Sequence, residues 1–184
     1  MHIVITRPKE DSSYLIENLI KLGHTVTHLP VIKIERLKTK KINLLNYQAL
    51  IFTSSNAIKF MNIEKFNSKI KCFCVGSTTE LTARHVGFTN THSSEGTVDS
   101  LIELIKRTLD SKSGKLLYLS SEFISKDLDK DLINSGYSVD RISNYTSLPV
   151  ETIDKKTLDF LEKKPPDVIF IYSSMSAKNL FNLI

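Results

Sequence analysis

Short apolar runs alternate with stretches of helical periodicity from one end of the chain to the other. That alternation predicts strands followed by helices, and hence α/β architecture with parallel sheets. His2–Thr6 reads as a first strand. After Pro8 and an acidic turn at Glu10 and Asp11, the apolar positions Leu15, Ile16, Leu19, Ile20 and Leu22 fall on one helix face, which Gly23 closes. Thr25–Leu29 is a second strand. Val31–Leu37 alternates apolar and polar residues as an exposed, extended connector does, and Lys38-Thr39-Lys40-Lys41 continues it in polar form. A crossing between domains is expected there. A fresh series then starts with a strand at Gln48–Thr53, a helix at Asn56–Met61 and a strand at Ile70–Val75. It continues through a helix at Thr78–Val86 stopped by Gly87, a short strand at Phe88–Thr91 and a helix at Thr97–Leu109. Lys115–Leu119, a helix ending at Ser135 and Gly136, and Ser138–Ile142 complete five strands. Tyr145–Pro149 is expected to be a second connector, followed by a helix near 154–163, a break at Pro165-Pro166, a strand at Val168–Ile171 and a last helix from Ser176.

Internal repetition organises these elements. Ile51-Phe52-Thr53-Ser54-Ser55-Asn56-Ala57 is echoed by Ile171-Tyr172-Ser173-Ser174-Met175-Ser176-Ala177, each at a strand-to-helix turn. Leu19-Ile20, Gly23, Val26 and Leu29 line up with Leu132-Ile133, Gly136, Val139 and Ile142. Two similar flavodoxin-like domains follow from this, one a permuted copy of the other. Domain A is expected to be discontinuous, from residues 1–33 plus 150–184, and domain B to span 38–143. Copy A has no counterpart of the stretch from Ile70 to Leu109, so three strands are expected against five. The chain stops at Leu183-Ile184 inside an apolar helix without a Gly or Asn cap. A chain shortened by roughly forty residues at that end of domain A is therefore expected.

Composition narrows the chemistry. The 184 residues are 41% hydrophobic, enough for one good core or two small ones. The formal charge of +5 is scattered rather than gathered in one dense basic run, which favours an acidic small molecule over nucleic acid. The first eight residues lack the features of a signal peptide, and no apolar run approaches membrane-spanning length. Cys72 and Cys74 lie two apart in an apolar run, so strand geometry puts both on one face, too far apart to bridge. They read as core residues of a protein in a reducing cytoplasm. His2, His24, His28, His85 and His92 form no metal-ligand cluster with them. No G-x-G-x-x-G follows the first strand and no P-loop lysine motif is present; Arg7-Pro8-Lys9 occupies that place.

The repeated turns carry the candidate chemistry. Each places hydroxyls and free backbone N–H groups where a strand ends and a helix begins, which suits an anion. Ser54, Ser55 and Asn56, then Ser77, Thr78 and Thr79, then Ser174 and Ser176, are the candidate binding groups, and helix capping explains the same residue types. Arg7 and Ser120 occupy equivalent strand ends, and Arg7 could clamp a carboxylate bidentately.

The opening Val4-Ile5-Thr6-Arg7-Pro8, the 51–57 turn, Val75-Gly76-Ser77-Thr78-Thr79 and Ile142-Ser143-Asn144-Tyr145 occur in the order seen in uroporphyrinogen-III synthases, which the chain resembles over its whole length. The resemblance implies two domains joined by a pair of extended segments and facing each other across a cleft. It implies a cofactor-free, metal-free reaction on hydroxymethylbilane, a linear tetrapyrrole polycarboxylate. Water is lost, and the ring closes with inversion of the terminal pyrrole. It also implies that Tyr145 is the cleft tyrosine that protonates or hydrogen-bonds the departing hydroxyl. A monomer that binds neither nucleic acid nor membrane is expected. Two departures stand out: Ser55 and Met175 replace the Pro that many relatives carry, and the second Gly-Thr turn of the family is absent. The alternatives are a non-catalytic two-domain protein that binds a small anion through the same turns, or an inactive shortened synthase.

Overall fold

Apolar residues on both faces of a short strand require neighbours on both sides, and β1 (His2–Ile5), buried throughout, has them. The computed structural model describes residues 1–183. The helix α1 (Lys9–Lys21) follows Pro8 and carries Glu10 and Asp11 in its first turn. The repeat glycine Gly23 has φ +82°, and the Gly23 and His24 amides donate to the Ile20 and Leu19 carbonyls. That paired closure needs a left-handed residue, which explains why Gly recurs at the matching helix end. At Gly136 the amides of Gly136 and Tyr137 reach Ile133 and Leu132 in the same pattern.

The next elements are β2 (Thr25–His28), β3 (Ile32–Arg36), β4 (Ile42–Asn43) and, after a single 3₁₀ turn, β5 (Ala49–Phe52). Then come α2 (Ser55–Lys59), β6 (Ile63–Lys65), β7 (Lys71–Val75), α3 (Gly76–His85), β8 (Asn90–Ser94) and α4 (Val98–Thr108). The rest are β9 (Lys115–Ser121), α5 (Leu128–Asn134), β10 (Ser138–Pro149), α6 (Lys155–Lys163), β11 (Val168–Phe170) and α7 (Ser174–Leu183). The fold is thus α/β with predominantly parallel sheets. The strand order is β11-β1-β2 in one sheet and β3-β10-β9-β5-β7-β8 in the other, with β4 and β6 forming a separate parallel pair.

Contacts between residues divide the chain into two units: Met1–Glu35 with the segment starting at Ser147, and Arg36–Thr146. The last position of domain A as expected from the sequence, Ile184, lies outside the described residues. In the first unit, Val4, Leu29, Val31 and Leu180 form the core. In the second, β5 lies between β9 and β7, with Ile51 opposite Tyr118 and Phe73. One face of that sheet packs Ala49, Ile51, Phe73, Leu116 and Tyr118 against Leu101, Ile102 and Ile105 of α4.

Four differences from the sequence reading have local causes. The extended segment at Val31–Leu37 contains a true strand, β3, because its alternation lets Ile32 and Ile34 turn inward. Its partner β10 is one twelve-residue strand rather than a strand plus a connector. Val150 N donates to Val31 O at 3.1 Å and Leu37 N to Asn144 O at 3.0 Å, so the two run antiparallel. The strand expected at Phe88–Thr91 lies at Asn90–Ser94: polar residues hid it, and they are tolerated because β8 is an edge strand. The last helix starts at Ser174, two residues earlier than expected, because Ser173 Oγ accepts from Ser176 N at 3.0 Å and so caps the earlier turn.

Candidate functional site

In parallel sheets, chemistry gathers where strands end and helices begin, and each unit has such a face. In the first unit, β1 and β11 are in register with Ile5 beside Phe170, which brings the residues after both strands together. The Arg7 guanidinium lies 4.8 Å from the centre of the Tyr172 ring and 3.9 Å from Asp11 Oδ2. His28 Nε2, at the end of β2, donates to the Arg7 carbonyl at 2.8 Å. Ser174 is exposed at the start of α7, whereas Ser176 is buried and its hydroxyl lies 2.9 Å from that of Ser173. Tyr172 was missed in the sequence reading, although it sits inside the repeated turn.

In the second unit, Ser54 Oγ accepts from Asn56 N at 3.2 Å and caps α2, while Ser55 and Asn56 are half-buried. At the end of β7, Ser77 and Thr78 are exposed and Thr79 is buried. No side chain caps α3, so the amides of its first turn stay available to an acceptor. Ser120 is fully buried; its hydroxyl donates to Ser121 O at 2.9 Å and accepts from Arg141 Nε at 2.9 Å. The same guanidinium donates through Nη2 to the carbonyls of Ser121 and Glu122, which fixes the chain as it leaves β9.

Tyr145 enters at this end through an irregularity in β10. The register with β9 shifts between Ser143 and Tyr145, so that Tyr145 pairs with Ser121. Such a bulge re-aims a side chain, and here the buried Tyr145 lines a cavity of about 210 Å³. Thr53, Tyr118, Ser121, Phe123 and Lys126 also line it. Tyr118 OH lies 3.2 Å from Thr53 Oγ1. Burial pushes the Tyr118 phenol above its ordinary pKa. Lys126 is bound to Asp99 and, at 3.6 Å, to Asp131; the hydrogen bond to Asp99, above all, holds its ammonium more firmly protonated than usual. Ser54, Ser55, Asn56, Ser77, Thr78 and Thr79 stand at neighbouring strand ends but do not line this cavity. Thr53, Tyr118 and Lys126 were absent from the sequence reading; only Thr53 lay in a motif that drew attention.

Among the described residues, no group of three or more His, Cys, Asp and Glu could hold a metal ion, and no helix is long and apolar enough to cross a membrane. Cys72 and Cys74 are buried and free, and burial pushes the Cys74 thiol up to about 12 and Cys72 higher. Neither can serve as a thiolate near neutrality.

These features define a two-unit, predominantly parallel α/β protein whose strand ends carry hydroxyls, a phenol-lined cavity and the exposed Arg7. Residues 13–184 match the family described as Uroporphyrinogen-III synthase HemD. The chain is 30% identical over 194 residues to a putative uroporphyrinogen-III synthase of Methanocaldococcus jannaschii, covering 100% of this chain and 78% of that protein. It is 25% identical over 159 residues to the porphyrin biosynthesis protein HemD of Ruminiclostridium josui, covering 79% of this chain and 32% of that one. The chain belongs to the uroporphyrinogen-III synthase family. Its fold is similar to the crystal structure of uroporphyrinogen-III synthetase from Helicobacter pylori, with a TM-score of 0.66 at 17% identity over 100% of this chain and 78% of that one. A mutant uroporphyrinogen III synthase from Thermus thermophilus gives a TM-score of 0.60 at 16% identity over 98% and 76%.

Proposed function

We propose that this protein is a cytoplasmic, monomeric lyase that converts hydroxymethylbilane into uroporphyrinogen III and water. Family membership supports the reaction, and the observation that carries it to particular residues is the placement of Tyr145 in the wall of the cavity at the ends of β5, β9 and β10.

The chemistry asks little of any single acid. Protonation of the hydroxymethyl oxygen lets the C–O bond break, water leaves, and the pyrrole nitrogen stabilises the resulting azafulvene cation. The substituted carbon of the terminal ring attacks that cation to give a spiro intermediate. Cleavage and re-closure then invert the ring, and loss of a proton completes the product. Because the linear substrate closes unaided to the wrong isomer, the protein must stabilise the spiro route over the direct one, chiefly by holding the chain ends in place. Tyr145 supplies the hydrogen bond or proton to the departing hydroxyl. A phenol with an ordinary pKa near 10 is a weak acid at neutral pH, but the leaving group here departs from an already activated carbon.

Within each unit, the donors for the substrate's acetate and propionate groups stand where strands end. Arg7 and Ser174 serve in the first unit, and Ser55, Asn56, Ser77, Thr78 and the uncapped turn of α3 in the second. Ser54, Ser120 and Ser176 act from beneath, as caps and wall bonds that hold those donors in place, and Thr79 is buried in the first turn of α3. Replacing Tyr145 by Phe is expected to slow formation of the type III isomer about a hundredfold while the protein stays folded. The measurement is the ratio of type III to type I product from supplied hydroxymethylbilane. A wild-type ratio no better than the spontaneous one would overturn the synthase reading and leave anion binding in its place.

A further inference from the structure

Tyr118 is a second phenol in the Tyr145 cavity, and its surroundings set it apart from an ordinary core tyrosine. The ring is almost fully buried among Ile51, Phe73, Leu116 and Leu128, so its position is rigid. Its hydroxyl nevertheless reaches the cavity lining and stops 3.2 Å from Thr53 Oγ1. Either hydroxyl can donate in this bond, and the more acidic phenol is the stronger donor of the two. With Tyr118 donating, the proton of Thr53 is left for a group in the cavity, polarised by the bond its oxygen accepts.

The rest of the lining gives that proton a destination. Lys126, the cation of the lining, has its charge balanced by Asp99 and Asp131, and Arg141, outside the lining, is held by Ser120 and the carbonyls of Ser121 and Glu122. The neutral donors that the lining offers an entering group are hydroxyls, those of Thr53, Tyr118, Ser121 and Ser125 among them. A cavity of about 210 Å³ is smaller than the pocket of a drug-sized ligand, so it receives one substituted ring rather than a whole tetrapyrrole.

We propose that the Tyr118–Thr53 hydroxyl pair is a carboxylate anchor: Thr53 donates to an acidic side chain of the ring held beside Tyr145, and Tyr118 is the positioning residue that aims and polarises Thr53. This rests on the synthase reading above. It adds a determinant of substrate binding separate from the leaving-group role of Tyr145.

The test uses the full chain with Tyr118→Phe, Thr53→Val, the double variant and Thr53→Ser, assayed with hydroxymethylbilane for KM and kcat. Tyr118→Phe keeps the ring that fills the core and removes only the oxygen. Expected are a KM raised about tenfold in Tyr118→Phe and in Thr53→Val with kcat within about twofold, a double variant no worse than Thr53→Val, and near-complete rescue in Thr53→Ser. Unchanged KM in Tyr118→Phe, an effect confined to kcat, or losses that multiply in the double variant would each overturn the proposal. Each protein is also titrated calorimetrically with uroporphyrin III, a stable polycarboxylate, so that the anchor is judged even if no type III product forms. Binding weakened about tenfold and non-additively supports the pair on its own. Binding that none of the variants changes, or none by the wild type, counts against it.

Discussion

Two amphipathic helices of similar length, α4 and α6, meet different fates. Each is capped by a side chain: Thr97 Oγ1 accepts from Ser100 N at 3.1 Å, and Asp154 Oδ1 accepts from Thr157 N at 3.0 Å. Yet α4 buries Leu101, Ile102 and Ile105, whereas α6 has no buried residue, and Leu158 and Phe160 stay 37% and 41% exposed. The sheets beneath them explain the difference. The core under α4 draws on β5, β7 and β9 in the middle of a six-stranded sheet, while the sheet β11-β1-β2 of the first unit has three strands among the described residues, of which β11 keeps Ile169 and Phe170 more than a third exposed. Local sequence makes a helix; the width of the sheet decides how much of its apolar face leaves water. Most of the stabilising burial therefore lies in the second unit.

Substitutions can break that contrast. Ile105→Ala should cost about 2–5 kcal/mol in urea unfolding, because a closed core cannot refill the cavity, and Leu161→Ala on α6 about 1 kcal/mol. Equal losses would mean that the two helices are packed alike. A smaller effect comes from Glu80, which ties α3 to β8. Its carboxylate accepts from Ser93 Oγ at 2.7 Å and Thr91 Oγ1 at 2.9 Å and pairs with Arg84. The hydrogen bond from Ser93, followed by that from Arg84, lowers its pKa to about 2. A depressed carboxyl stabilises the fold above its unfolded pKa and loses that contribution as pH falls toward the folded value. Stability should thus decline between about pH 4.5 and pH 2, and Glu80→Gln should flatten that decline by about 1–2 kcal/mol in unfolding at stepped pH. Thr97→Ala should cost about 1 kcal/mol through the lost cap of α4, read as a fall in thermal midpoint. Ile169→Ala should change stability by less than about 0.5 kcal/mol; a larger loss would show that the exposed face of β11 is covered in solution.

The same contrast marks how far the sequence could be read. Most strands and helices were legible because period-two and period-3.6 patterns, with Gly23, Gly87 and Gly136 as stops, are local signals. β8 was misplaced because its Asn, Thr, His and Ser residues carry no apolar pattern, and the β4–β6 pair was missed because two- and three-residue strands carry almost none. Of the candidate site, Tyr145 and the hydroxyl-rich turns were visible as motifs. Tyr118 and Thr53 were not recognised as a pair, since their 65-residue separation closes only when β5 and β9 align Ile51 with Tyr118.

By itself, then, the sequence determined the α/β class, the positions of most elements, the matching turns and the burial of Cys72 and Cys74, all consequences of periodicity and backbone chemistry within a few residues. Tertiary structure alone decided the strand order, the antiparallel pairing of β3 with β10, the bulge that re-aims Tyr145 and the meeting of Tyr118 with Thr53. Those features rest on hydrogen bonds and packing between segments far apart in the chain, where several strands carry the same apolar pattern and nothing local tells one partner from another.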